Sequence, residues 1–298
     1  MARTVPSTIA AMQAGTLFTL AKCVKIILRD GTILAFTDLD EDIILPPSAA
    51  AGNGATYVSG EGVAISDIEL SAGINTGSVD IAMPIGTYVQ RADVIGRRFN
   101  QATVLLFWID HSQTNPEPVA LLKGTVGDAR LEEGRVTLEA RDLCDKFHVS
   151  IGGVLTPRCR ADFGDEKCGV VLTEIGGVIT SASTAVTFLT SLSGVYADQY
   201  FRFGEIRFTT GELANFPARE VVRSTGSTGE IEVFDPWPAI PAPNDAFIIT
   251  RGCSRLRLST DATIPTCLTY GNVTRFRAFP HVPGSDTYLK VPVPGVDA

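Results

Sequence analysis

Residues 158–170 read RCRADFGDEKCGV, and residues 251–267 read RGCSRLRLSTDATIPTC. They hold four of the six cysteines of this 298-residue chain, as two pairs with 84 residues between them. Eight residues separate Cys159 from Cys168, and thirteen separate Cys253 from Cys267. Between the pairs, residues 176–251 alternate in short runs: GGVITS, AVTFLT, YFRFGEIRFTTG, AREVVRS, GEIEVFDP and DAFIITRG. Evenly spaced alternating runs with turn residues between them predict a small β-barrel or sandwich. A barrel whose first and last strands are neighbours brings its two ends together. The four thiols would then meet in one place and clamp the segment of about 80 residues between them, which in the loop-entropy picture contributes several kcal/mol.

Four thiolates suit Zn²⁺ or an iron–sulfur cluster. The spacing matches neither a zinc knuckle nor the compact bacterial ferredoxin run, so zinc, iron–sulfur and unligated buried thiols all stay open at this point. Arg158, Arg160, Lys167, Arg251, Arg255 and Arg257 lie within four residues of a cysteine, and cations favour the thiolate that binds metal. Cys23, in a strand-like apolar run, and Cys144, after LEARDL, read as small buried hydrophobes. The stretch STIAAMQAGTLFTLAKC imitates a lipoprotein leader only faintly, because Gln13, Thr16 and Thr19 interrupt it and Lys22 precedes the cysteine. A short helix over 7–14, capped by Ser7, is the expected structure. A chain kept in a reducing cytosol does not use six cysteines as three disulfides.

The first half reads as strands and hairpins. CVKIIL and TILAFTD flank Arg29-Asp30-Gly31, and VALLKGTVGDARL and RVTLEARDL flank Glu132-Glu133-Gly134; both are hairpin signals. Further strands are expected at 63–70 and 78–82, a buried strand at TVLLFWID (103–110), and short helices at 91–97 and 142–148. Asp38, Asp40 and Asp42 imitate the start of a calcium loop, but Ile43 and Ala49 stand where Gly and Glu are needed, so a solvated acidic turn is expected. IGGVLTPR at 151–158 has linker chemistry. The fold class is therefore mainly β, in two β-rich domains, 1–150 and 151–298, with a few short helices and a barrel at about 176–251.

Formal net charge is −8, the wrong sign for general phosphate binding. No run of 18 apolar residues offers a membrane-spanning helix. Hydrolase signals are missing: no nucleophile elbow, zincin motif or P-loop occurs. Asp110 and His111 are adjacent in a strand and point to opposite faces, His148 precedes the linker, and His281 sits in the rigid turn FPHVPG. The chain reads as a scaffold, not an enzyme. Phe201, Phe203 and Phe208 are expected in the barrel core, with an interface as the other use.

At CRADFGDEKCGV the chain resembles the tail hub proteins of siphophages and gene transfer agents, similar in role to the tail tip protein L of lambda-like phages. RDGTILAFTDLDEDI, YFRFGEIRFTTGELANFPAREV, ITRGC followed by TC, and FRAFPHVPGSD extend the resemblance over most of the chain. The resemblance implies a virion protein assembled in the bacterial cytoplasm: a homotrimeric hub at the distal end of the tail tube. Its partners would be the distal tail protein ring and a tail tip or central fibre protein, with DNA passing through the channel without specific binding. It also implies a hub-type β-barrel in the N-terminal domain, and an iron–sulfur cluster, of the 4Fe-4S type, on Cys159, Cys168, Cys253 and Cys267 that closes the C-terminal barrel. The family's second cysteine pair is usually closer together, so RLRLSTDATIP reads as an insertion that can be looped out. A stand-alone cytosolic zinc or redox iron–sulfur protein is the competing expectation.

Overall fold

The Asp30-Gly31 turn has the backbone its sequence predicts. In the computed structural model, which describes residues 19–45, 55–59, 63–68, 76–113, 116–148 and 152–280, Gly31 has φ +86°. This left-handed conformation costs glycine little. Strand β1 (Leu20–Ile27) turns there into β2 (Ile33–Thr37), with Ile27 opposite Ile33 and Cys23 opposite Thr37. The chain divides into two compact units, 1–150 and 151–298. The helix expected over 7–14 and His281 lie outside the described residues.

Among the described residues the first unit is built on one nine-stranded sheet, not the hub-type β-barrel that the resemblance implies. Its remaining strands are β3 (Ile43–Ile44), β4 (Thr56–Ser59), β5 (Ala64–Ile65), β6 (Ser78–Pro84), β7 (Thr103–Asp110), β8 (Val119–Glu132) and β9 (Arg135–Asp142). Their order across the sheet is β3-β4-β2-β1-β7-β8-β9-β6-β5. Alternate residues of β1 serve opposite faces. Val24 and Ile26 join Phe36, Val104, Leu106 and Leu138 in the larger core. Ala21 and Cys23 join Tyr57, Phe107 and Ile109 in a second one. Both faces of the central strands are therefore covered, which is why TVLLFWID reads as a continuous apolar run. The Glu133-Gly134 hairpin forms as expected, with Leu131 opposite Val136. The strand expected at 63–70 shrinks to Ala64–Ile65 among the described residues. Helix α1 (Arg91–Ile95) stops two residues short of expectation: Arg97 adopts φ +60°, and Arg98 turns back to pair with Asp93 at 3.2 Å.

The second unit contains a closed barrel of strands β10 (Ile175–Ala182), β11 (Thr187–Thr190), β12 (Glu205–Phe208), β13 (Arg219–Thr225), β14 (Glu230–Val233) and β15 (Ala246–Ile249). The order β10-β11-β14-β13-β12-β15 closes through antiparallel pairing of β10 with β15, Ile175 opposite Ile249 and Val178 opposite Ala246. Inward positions are apolar and packed. Phe208 lies edge-on to Trp237 at 4.9 Å and to Phe247 at 6.4 Å, while Ile206, Val221 and Ile249 are fully buried. Phe201 and Phe208 are core residues as expected, whereas Phe203 is half-buried. The run YFRF is not a strand. Residues 199–203 form a turn, with Gln199 and Phe203 both at positive φ and the Phe203 N–H donating to Val221 O at 2.8 Å.

Ile249 faces Ile175 on one side and Ile206 on the other. Ile249→Ala should cost about 2–5 kcal/mol. Calorimetry should show the transition of the second unit moving to lower temperature while that of the first stays in place. A single transition shifted as a whole would contradict independent cores.

Candidate functional site

Closure of the barrel sets the positions of the cysteines. Cys168 precedes β10 by seven residues and Cys253 follows β15 by four. The pairing of those two strands therefore brings the two cysteine-bearing segments side by side. Backbone hydrogen bonds then join them directly. The N–H of Cys159 donates to Arg255 O at 2.8 Å, and that of Arg160 to Arg277 O at 3.2 Å. The Asn272 side-chain amide donates to Cys168 O at 2.9 Å, and the Asp162 carboxylate holds Arg255 at 2.7 Å. Gly252 leaves no room for a Cβ, which would overlap the Phe203 backbone. Only glycine lets the strand exit pass so close to that turn.

Within FGDEKCG, Asp165 organises the loop. Its carboxylate accepts the Cys168 N–H at 2.6 Å and the Asp162 N–H at 3.2 Å. Between Cys253 and Cys267 the chain loops out and returns. Thr263 and Asp261 close a local turn at 2.7 Å. The strand returns with Cys267 N–H donating to Leu256 O at 2.9 Å and Ser254 N–H to Pro265 O at 2.9 Å.

Cys159, Cys168, Cys253 and Cys267 line one small cavity with Ala161, Phe163, Val170, Tyr270 and Asn272. All four are free thiols. Three of the sulfurs are hydrogen-bond acceptors: Cys159 from Arg277 N–H at 3.4 Å, Cys253 from Arg255 N–H at 3.4 Å, and Cys168 from the Asn272 amide at 3.6 Å. Cys267 instead donates its thiol to Asn272 O at 3.1 Å. Arg255 adopts φ +61°, and its N–H meets the sulfur two residues before it. Among the described residues, no three His, Cys, Asp or Glu side chains stand as they would to hold a metal ion.

The surrounding cations do not dominate the acidity of Cys253 and Cys267. Burial, reinforced by repulsion from Cys253, Cys159 and Cys168, pushes Cys267 up to about 11. Burial also raises Cys253; the Arg255 N–H and guanidinium pull the other way, while Cys168 and Cys159 add to the rise. The expectation that arginines favour the thiolate is thus outweighed at these two sites by desolvation and by crowding of like charges. Tyr270 is held over the cavity by Arg251, whose guanidinium lies 4.9 Å from its ring and 4.3 Å from that of Tyr200. Sequence reading missed this stack, because residues 200, 251 and 270 converge only after the barrel closes.

The other candidates stand elsewhere. Cys23 is fully buried and, by burial, pushed up to about 12, as expected of a small hydrophobe. Cys144 lies half-buried in a 3₁₀ turn, Leu143–His148. Burial alone would raise Asp110, yet donors on Ser112, Thr19 and Gln113 outweigh it and lower its pKa; none of these donors is His111. Asp38, Asp40, Glu41 and Asp42 form an exposed turn, with Asp38 and Asp42 accepting the N–H groups of Lys22 and Ser59 at 2.8 and 2.7 Å.

A family model described as "Baseplate hub protein, N-terminal attachment domain" matches residues 6–171, more than half of the chain and including Cys159 and Cys168. A second, described as "Phage conserved hypothetical protein BR0599", matches residues 199–286, including Cys253 and Cys267. Among solved structures, a chain of the "Virion of native gene transfer agent (GTA) particle" superposes with a TM-score of 0.81 at 24% identity, over 98% of this chain and 98% of that one. That likeness is one of fold. A search of curated proteins returns no match. The chain belongs to the family of the baseplate hub protein, N-terminal attachment domain.

Proposed function

We propose that this protein is a structural tail hub whose second unit is stapled by an iron–sulfur cluster on Cys159, Cys168, Cys253 and Cys267. As a homotrimer in the virion, it joins the distal tail ring at the end of the tail tube to a tip or fibre protein. Membership in a baseplate hub family supports the structural role. The observation that carries the cluster is the convergence of four thiols from two distant segments on one cavity.

The donor set fits such a group. Backbone and side-chain N–H groups already point at three of the sulfurs, the kind of support that stabilises and tunes cluster thiolates. The wall is apolar at Ala161, Phe163 and Val170. When bound, the cluster supplies Lewis-acidic iron that keeps the thiols deprotonated and crosslinked. The residues of the chain present the thiols, exclude water and donate N–H groups to sulfur. In the chain-entropy picture, a crosslink across a loop of 84 residues is worth about 4 kcal/mol.

The hub surfaces are β-rich and the chain carries net charge −8. That balance keeps a tail channel from holding the DNA that passes through it.

Protein purified without oxygen should be brown, with broad visible absorbance, and should contain iron and acid-labile sulfide. Colourless protein carrying only zinc would refute the cluster. Cys168→Ser should lower the iron content and open residues 152–280 to protease while residues 19–113 stay protected; unchanged iron and unchanged proteolysis would refute four-thiol ligation.

The oligomeric state is a separate test. Light scattering should give three times the 31.7 kDa chain mass, and ring-shaped particles should co-purify with other tail proteins. A brown monomer with no tail partner would favour the stand-alone metalloprotein instead.

A further inference from the structure

A second, larger depression adjoins the cysteine cavity and shares Cys159, Ala161, Phe163, Cys253 and Arg255 with it. This cleft encloses about 1140 Å³, above the range of pockets that take small ligands. Arg158, Arg160, Lys167, Arg251, Arg255 and Arg277 line it. The protein as a whole is acidic, so this concentration of cations is an exception to its charge balance.

Few of these cations are neutralised. Arg255 pairs with Asp162, and Arg251 is spent on the rings of Tyr200 and Tyr270. Arg160 lies over Phe279 at 5.6 Å and points its Nε at Arg277 O. Arg158, Lys167 and Arg277 are exposed, and none has a carboxylate within ion-pair distance among the described residues. The cleft also contains Glu205 and Glu220, which stand directly opposite each other on β12 and β13. Like charges opposed across a strand pair are unfavourable, and no cation among the described residues relieves them. Val154, Phe203 and Leu172 add apolar lining.

We infer that this cleft is a docking groove for an extended, predominantly acidic polypeptide segment of another protein. Its carboxylates would meet Arg158, Lys167 and Arg277, its apolar side chains Phe203 and Leu172, and a basic residue the Glu205–Glu220 pair. Mixed lining selects polypeptide over nucleic acid. A phosphate backbone presents uniform negative charge and would be repelled by the opposed glutamates, and it makes no use of the apolar wall. The inference does not depend on the trimer; the groove shares Cys159 and Cys253 with the proposed cluster site.

The test uses the full chain with its native metal content and a fluorescein-labelled peptide, Asp-Leu-Asp-Leu-Asp-Gly-Leu-Lys-amide. Anisotropy should show salt-sensitive, saturable binding. Arg158→Glu with Lys167→Glu should weaken it at least tenfold with circular dichroism unchanged. Glu205→Lys with Glu220→Lys should tighten binding of an all-acidic peptide, Asp-Leu-Asp-Leu-Asp-Gly-Leu-Asp-amide, several-fold, a gain that misfolding does not produce. Equal affinity in both charge-reversed variants would overturn the inference. So would a 20-base-pair DNA duplex that binds as tightly as the peptide, or displaces it at equimolar concentration.

Discussion

The pairing of β10 with β15 is the contact on which the second unit depends. It closes the barrel, and it alone makes neighbours of two segments that are 84 residues apart in sequence. Everything around the thiols is downstream of that closure. The Cys159–Arg255 and Arg160–Arg277 backbone bonds, the Asp162–Arg255 ion pair and the Asn272 amide on Cys168 form only between segments already held together. Ile249, fully buried between Ile175 and Ile206, is where the barrel core and this closure meet. A crosslink through sulfur would reinforce the closure, because it removes from the unfolded chain the freedom of the same long loop.

Charge around the cavity is arranged by a different rule from charge elsewhere in the chain. The first unit matches carboxylates with arginines on its surface, as at Arg130 with Asp128 and Glu139. Around the cysteines, arginines act through their backbone N–H groups, as Arg255 and Arg277 do toward sulfur, or through stacking, as Arg251 does on two tyrosines. The Arg255 guanidinium pairs with Asp162, while that of Arg277 has no carboxylate within ion-pair distance among the described residues. Burial and mutual repulsion hold Cys253 and Cys267 as thiols, so free arginine charge does not by itself ionise the site. A cationic centre among the sulfurs would reverse that balance by replacing their mutual repulsion with attraction.

Much of this was legible in the sequence because it is local. Asp30-Gly31 and Glu133-Gly134 encode their hairpins in two residues, and alternation in GEIEVFDP and DAFIITRG encodes strands with one apolar face. The convergence of the four cysteines was legible through a topological argument, that a closed barrel returns its ends to one place. What could not be read is conformation set by distant neighbours. YFRF has strand composition, yet the Phe203 N–H is claimed by Val221 O and the exit of β15 passes over its backbone at Gly252, so the chain turns. The Tyr200–Arg251–Tyr270 stack and the opposed Glu205 and Glu220 are likewise products of register. The acidity of Cys253 and Cys267 was misread because nearby arginines are visible in sequence whereas burial is not.

The thirteen residues between Cys253 and Cys267 close into a loop at little cost. Doubling the length of a flexible loop costs only about 0.6 kcal/mol. Returning Cys267 to its place takes two short backbone bonds, to Leu256 O and from Ser254 to Pro265 O, each worth about 1 kcal/mol net. The local Asp261–Thr263 turn further shortens the stretch that must be closed. Pro265, Thr266 and Cys267 are buried while residues 260–263 are exposed, so the tip of the loop lies in solvent and the returning strand lies in the packed module. Spacing between the two cysteines is therefore a weak constraint here. The strong constraint is that the chain return beside Leu256, where the barrel has already fixed the other sulfur-bearing strand.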